Sequence, residues 1–168
     1  MMQIRNELAT MRYRSNNAWS CPIVIRVPVG GYIHGALCHS QSIDGYFMHL
    51  PGIYIAYPSC AVDAKGLLKM ACRMNDPVIF MEHKGLYRQN YAATQEPDEE
   101  YVLPFGKGRI VNRGDELTLI TWGAMVQKSL DAIRSLALSD GLIEVIDLRT
   151  LNPVDLDLIK TSIMKTNK

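Results

Sequence analysis

Three runs of the chain, "CPIVIRVPV" at 21–29, "GIYIAYPS" at 52–59 and "DPVIFMEH" at 76–83, are apolar without alternation. A strand with one wet face alternates apolar and polar residues, whereas a strand covered on both faces does not, so these runs read as parallel strands inside a layered core. Between the second and third runs, "AVDAKGLLKMACRM" sets Ala64, Leu67, Leu68 and Ala71 on one helical stripe. Between the first and second, "SQSIDGYFMHL" reads as a short helix with Ser40 or Ser42 as its cap. Ahead of them, residues 3–15 carry Ile4, Leu8 and Met11 at helical spacing. Strands alternating with helices imply an α/β fold, a parallel sheet flanked by helices.

Residues 84–107 carry two prolines and an acidic cluster with no sustained period, which reads as a long ordered linker. "GRIVNRGDELTLITWG" then predicts two short strands around an Arg-Gly-Asp turn. A helix over 124–138 follows, with Val126, Leu130, Ile133 and Ala137 on one face, then a strand at 142–148 and a helix opening after Pro153. This second unit has few strands and an open edge, and the first helix leads straight into a buried strand. The expectation is a portion of a longer native polypeptide, cut at both ends.

The formal net charge of +1 supplies no broad field for nucleic acid or an anionic membrane. No apolar run approaches the roughly 20 residues of a membrane span, and the amino terminus lacks a signal-type core. Cys21, Cys38, Cys60 and Cys72 form no Cys-x-x-Cys pair, so free, buried thiols are expected rather than zinc or disulfides. Together these features point to the cytoplasm, with neither nucleic acid nor membrane as partner.

The stretch "GYIHGALCHSQSIDGYF" at 31–47 places two histidines among glycines just after the first strand. Parallel sheets collect ligands at the carboxyl ends of their strands, so a strand-end loop is a sound place for a ligand-facing group. Spacing alone does not prefer His39 over His34, and a helix-capping role for His39 is the plainer reading of the residues by themselves. Arg26, inside an apolar run, requires a partner. Asp147 and Arg149 end a strand and read as ordering an edge or an interface, while His49 and His83 have ordinary structural explanations.

The segments "VIRVPVGGYIHGALCHSQSIDGYFMHLPGIYIAYPS", "DAKGLLKMACRMNDPVIFMEHKGLYR", "LTLITWGAMV" and "VIDLRTLNP" closely resemble, in order, the beta subunit or beta half of thiamine-diphosphate-dependent 2-oxo acid dehydrogenases. "HGALCHSQS" and "FMEHKGLYR" look more like the branched-chain type than the pyruvate type. The resemblance implies that residues 1–88 form the later part of a transketolase-like pyrimidine-binding domain and 89–107 a linker. Residues 108–168 are then the first part of a transketolase carboxy-terminal α/β domain.

By the same resemblance, His39 is the catalytic histidine facing the thiazolium, with His34, Ser40 and Gln41 around the pocket. A potassium ion held by main-chain oxygens of Cys21, Ile23, Ala71, Met74 and Asp76 is also implied, although Met74 stands where an acidic residue is usual. The cofactor would be thiamine diphosphate with magnesium, shared with an alpha subunit or alpha half. No Gly-Asp-Gly motif for the diphosphate is found here. The other implied partner is the lipoyl acyltransferase, in a dimeric or heterotetrameric assembly. The implied reaction is oxidative decarboxylation of a 2-oxo acid with acyl transfer to lipoyllysine, the chain alone being inactive. Two alternatives stand beside it: a non-catalytic assembly module docking to an alpha-type partner, and another thiamine enzyme of transketolase type.

Overall fold

The computed structural model describes residues 1–136 and 141–168. Four strands, β1 (Val24–Val29), β2 (Tyr54–Ala56), β3 (Val78–His83) and β7 (Thr150–Asn152), form one sheet in the order β1-β3-β2-β7. The first three are parallel, with Val24 opposite Val78 and Val29 opposite His83, while β7 pairs antiparallel to β2. These are the three continuous apolar runs, and each feeds two cores. Val29, Ile55, Ile79 and Met81 pack on one face with Phe47, Leu50, Ile146, Leu148 and Leu151. Ala56 and Phe80 pack on the other with Leu67 and Leu103.

The helix stripe is realised in α4 (Ala61–Ala71), where Leu67 and Ala71 are buried. Gly66 lies where the 93–107 segment crosses the helix, since a Cβ there would meet Tyr101 and Leu103 at 2.6 and 2.8 Å. The amino-terminal helix is broken into a π-helical turn at Ile4–Leu8 and a short α1 (Met11–Arg14). The helix expected over 40–50 is shorter, α3 (Asp44–Met48), and begins after Ile43, so neither Ser40 nor Ser42 caps it. A further short helix, α2 (Ala36–His39), lies inside the glycine-rich loop.

The second sheet contains β4 (Arg109–Asn112), β5 (Gly114–Thr121) and β6 (Gly141–Asp147) in the order β4-β6-β5. The two strands around the Arg-Gly-Asp turn are therefore not paired with each other. The chain crosses β6 at Gly114, where a side chain would strike the backbone of Ile143 and Glu144. Helices α5 (Ala124–Ser135) and α6 (Leu156–Thr166) accompany this sheet, and the Asp155 side chain caps α6 by accepting from Leu158 N–H at 3.1 Å. Ala137 and Leu138, expected at the end of α5, lie outside the described residues. Among the described residues, no helix is long and apolar enough to cross a membrane.

The two sheets meet at buried charges. Asp63 of α4 and Asp147 of β6 are both 0% exposed. Arg149 Nε donates to Asp63 Oδ2 at 3.0 Å, and its Nη2 lies 3.0 Å from Oδ1 without the alignment of a hydrogen bond. Arg109 Nη2 reaches Asp63 at 3.1 Å and Asp147 at 3.4 Å. Ser59 Oγ donates to Asp147 Oδ2 at 2.5 Å, and the Arg149 backbone N–H donates to Oδ1 at 3.1 Å. Burial pushes the Asp147 carboxyl above its ordinary range, against the pull of Ser59 and Arg109. Removing Asp63 leaves the half-buried Arg149 without its carboxylate partner and Arg109 with one fewer. Asp63→Ala is expected to lower the unfolding free energy by about 3–5 kcal/mol in urea titration; a loss below about 1 kcal/mol would show the cluster to be structurally idle.

Candidate functional site

Past Val29 the backbone turns at Gly30, whose φ of 78° is one that side-chain-bearing residues rarely adopt. The loop that follows is closed at its base by Gly30 N–H donating to Gln41 O at 2.8 Å. Inside it, His39 N–H donates to Gly35 O at 3.1 Å, and Gln41 Nε2 donates to Leu37 O at 2.9 Å. Lys84 Nζ, from the turn after β3, donates to His39 O. Tyr32, His34 and Ala36 have φ values of 127°, 54° and 48°. Three non-glycine residues in such conformations within five positions constitute local strain of the kind that gathers at ligand sites.

His34 and His39 are both exposed on this loop, at the carboxyl end of β1. Ser40 is half-buried, and the Gln41 side chain is spent on fixing the loop. The imidazole of His39 is therefore presented at the edge where a parallel sheet takes its ligands, free to donate or accept at a ligand's polar atom.

The five main-chain positions expected for potassium lie at the opposite end of the sheet. Cys21 N–H donates to Asn75 O at 3.1 Å, which joins the approach to β1 to the turn before β3. The carbonyls of Cys21, Ile23 and Ala71 accept from the backbone N–H groups of Ile23, Val78 and Met74. The Arg12 guanidinium, 2.5 Å from Asp76 Oδ1, already places a positive charge at that turn.

Arg26 finds its partner across the sheet: Nε and Nη2 donate to Glu82 Oε1 and Oε2 at 2.5 and 2.9 Å. Tyr87 OH adds a third bond to Glu82. Burial alone would raise the Glu82 carboxyl, but the bonds from Arg26 and Tyr87 outweigh it and hold the group below its ordinary range. Burial, reinforced by Glu82, pushes the Tyr87 hydroxyl up to about 12. This trio rims a cleft of about 540 Å³ whose floor includes Phe80, Ala64 and Leu68. The visible signal for it was one charge in each of two apolar runs destined to be neighbours, a diagonal cross-strand pair.

His83 and Lys84 are the residues that sequence reasoning passed over. His83 Nδ1 accepts from Gly85 N–H at 3.0 Å, so the neutral ring carries its proton on Nε2. Burial, then Lys128 and Lys84, lowers the His83 pKa from its ordinary value. No group of three or more His, Cys, Asp or Glu side chains among the described residues is arranged to hold a metal ion.

Comparison with known proteins follows this division. The family described as transketolase, pyrimidine binding domain, matches residues 1–90, and transketolase, C-terminal domain, matches residues 106–168. The chain is 49% identical over 167 residues to the 2-oxoisovalerate dehydrogenase subunit beta of Bacillus subtilis (strain 168), covering 99% of this chain and 50% of that protein. It is 44% identical over 169 residues to the pyruvate dehydrogenase E1 component subunit beta of the same organism, covering 100% and 51%. The Staphylococcus aureus (strain N315) subunit of that name is 39% identical over 165 residues, at 98% and 50% coverage. The chain thus spans about half the length of these relatives. A solved structure described as a split gene transketolase, inactive beta4 tetramer, superposes with a TM-score of 0.71 at 21% identity, covering 98% of this chain and 49% of that one; this likeness concerns the fold.

Because the folded His83 resists protonation, its contribution to stability is fully present above about pH 6.5. It is lost as pH falls through the lower folded value. In nitrogen-detected NMR titration His83 should titrate below the ordinary histidine value, and His83→Gln should flatten the acid-side fall of the urea midpoint. Titration of His83 at or above about 6.5 contradicts this account.

Proposed function

We propose, since this chain belongs to the transketolase family through its pyrimidine-binding and C-terminal domains, that it serves as the corresponding part of the beta subunit in the decarboxylating component of a 2-oxo acid dehydrogenase complex. Support for that choice within the family comes from relatives bearing those names at 39–49% identity across nearly all of this chain. The observation that carries the proposal is the exposed His39 on a strained loop at the carboxyl end of β1.

Thiamine diphosphate, when bound, supplies the carbanion chemistry that releases carbon dioxide from a 2-oxo acid. The residues here suit only one side of that cofactor. His39 donates a hydrogen bond to the substrate carboxylate or to a developing oxyanion, and exchanges protons as the acyl group passes to lipoyllysine. His34 lines the same pocket, and Ser40 and Gln41 hold the loop rather than the substrate. Lys84, bonded to the His39 carbonyl, adds positive charge at an edge that receives an anionic substrate.

In this reading the diphosphate end and its magnesium belong to an alpha subunit or alpha half, in a dimeric or heterotetrameric assembly. The lipoyl acyltransferase is the second partner, approaching on the His39 side. Potassium at the turn before β3 fits least well, because Arg12 already occupies its electrostatic role beside Asp76.

The test recombines the chain with an alpha-type subunit and follows acyl transfer to a lipoyl domain. His39→Asn should slow transfer by about 10²–10⁴-fold with the unfolding midpoint unchanged, because the side chain is exposed; transfer at the unsubstituted rate sinks the proposal. Calorimetric titration of the chain alone with magnesium and thiamine diphosphate should show no stoichiometric uptake at micromolar concentrations, and tight one-to-one binding would relocate the diphosphate site to this chain.

A further inference from the structure

We infer that His83 and Lys84, consecutive residues at the end of β3, are positioning residues that hold both ends of the His39 loop; the catalytic meaning of this rests on the function proposed above. At the loop's base, the His83 ring lies between two residues that lack a side chain. A Cβ at Gly30 would overlap the ring, and one at Gly85 would meet Cε1 and Nδ1 at 3.0 Å. Gly85 N–H fixes the ring from one side through Nδ1. On the other side the ring abuts Gly30, the residue whose N–H closes the loop onto Gln41. At the loop's far end, the Lys84 ammonium donates to the carbonyl of His39 itself. Such a charge-assisted bond is roughly twice as strong as a neutral one.

These contacts answer a physical need. Tyr32, His34 and Ala36 sit at positive φ, and an untethered loop would relax them toward ordinary backbone. Short-range bonds within the loop, from His39 N–H to Gly35 O and from Gln41 Nε2 to Leu37 O, do not tie it to the sheet. Lys84 does so directly, and His83 does so through Gly30. One turn of β3 therefore sets where the catalytic imidazole stands relative to the sheet edge.

Amide hydrogen exchange on the full chain tests this, with the His39 N–H as reporter and the Val78 N–H, bonded to Ile23 O inside the sheet, as the measure of global stability. Lys84→Met should accelerate exchange at His39 by about tenfold while leaving Val78 unchanged, and should move the His39 imidazole resonances toward those of an unstructured histidine. Lys84→Arg, which retains a cationic donor, should restore both. Gly30→Ala should disturb the same reporters through the His83 ring; if that variant fails to fold, the Lys84 series still decides. His39 exchange within about twofold of the unsubstituted chain in Lys84→Met overturns the inference. With an alpha-type subunit, Lys84→Met should lower kcat by up to about a hundredfold and also raise KM for the anionic substrate, because charge is lost with the tether; Lys84→Arg should restore both. The failures are separable: an inert His39→Asn substitution removes the catalytic reading and leaves the exchange result standing, whereas unaltered exchange removes the tether and leaves the His39 requirement.

Discussion

Two buried aspartates and the two partly exposed arginines that pair with them between the sheets are the contact on which the arrangement of this chain depends. Asp63 comes from a helix of the first sheet, Asp147 and Arg109 from strands of the second, and Arg149 from the bend that leads into β7. A carboxylate moved out of water is costly unless hydrogen bonds and opposite charge replace the lost solvation. Here Asp147 accepts from Ser59 and from the Arg149 backbone, and Asp63 accepts from Arg149 Nε with Arg109 alongside, while Asp63 Oδ1 and the Nε of Arg109 are left as buried atoms without a hydrogen-bond partner. Such a cluster is weak evidence of stabilisation beyond what apolar packing would give. Its consequence is geometric, because the cost of separating the partners ties the second sheet to one place on the first.

That tie explains β7. After Asp147 the chain bends through Arg149, at a φ of 61°, and lays Thr150–Asn152 against β2 as an antiparallel edge. Asn152 Nδ2 donates to Ile53 O, and Leu151 enters the core of the first sheet. A segment assigned from sequence to the second domain thus supplies an edge strand to the first sheet. Trp122 Nε1 donates to Asp44 Oδ2 at 2.9 Å, and Gly123 packs where a Cβ would crowd the Tyr57 ring. The start of α5 is thereby set near α3, and Lys128 comes close enough to depress the His83 pKa. The electrostatics around the His39 loop are in part a product of the second sheet.

Much of this was legible in the residues and some of it was not, for reasons that differ by element. Continuous apolar strands and the α4 stripe depend on burial over many residues, and such patterns survive in sequence. The cysteines were expected to be buried, yet none is: Cys38 and Cys72 are exposed and Cys21 and Cys60 half-buried, because each lies at a loop or helix end rather than on a core-facing position. Pairing partners do not survive in the same way: β4 and β5 are neighbours in sequence but bracket β6, because the crossing at Gly114 is decided by a backbone approach that no periodicity announces. A serine cap was expected at Ser40 or Ser42 from propensity alone, yet α3 begins only after Ile43, beyond the Gln41 carbonyl that closes the loop onto Gly30. The Arg26–Glu82 pair needed the parallel register before its two charges could be matched.

His34 and His39 show most clearly what a sequence withholds at a functional site. Both are exposed histidines in one loop, and both follow a glycine-rich bend, so spacing treats them alike. In three dimensions they differ in what holds their backbones. His34 sits at positive φ, a conformation that β-carbon sterics disfavour and that persists only when its surroundings enforce it. His39 closes a helical turn, with its N–H bonded inside the loop and its carbonyl bonded outside it to Lys84. A side chain that acts on a ligand requires a fixed backbone beneath a free tip, and of the two only His39 has its carbonyl bonded to the sheet's own strand end. Local rules of propensity fail in this loop because the loop is shaped by residues fifty positions away. That failure is itself what distinguishes a site from an ordinary connection.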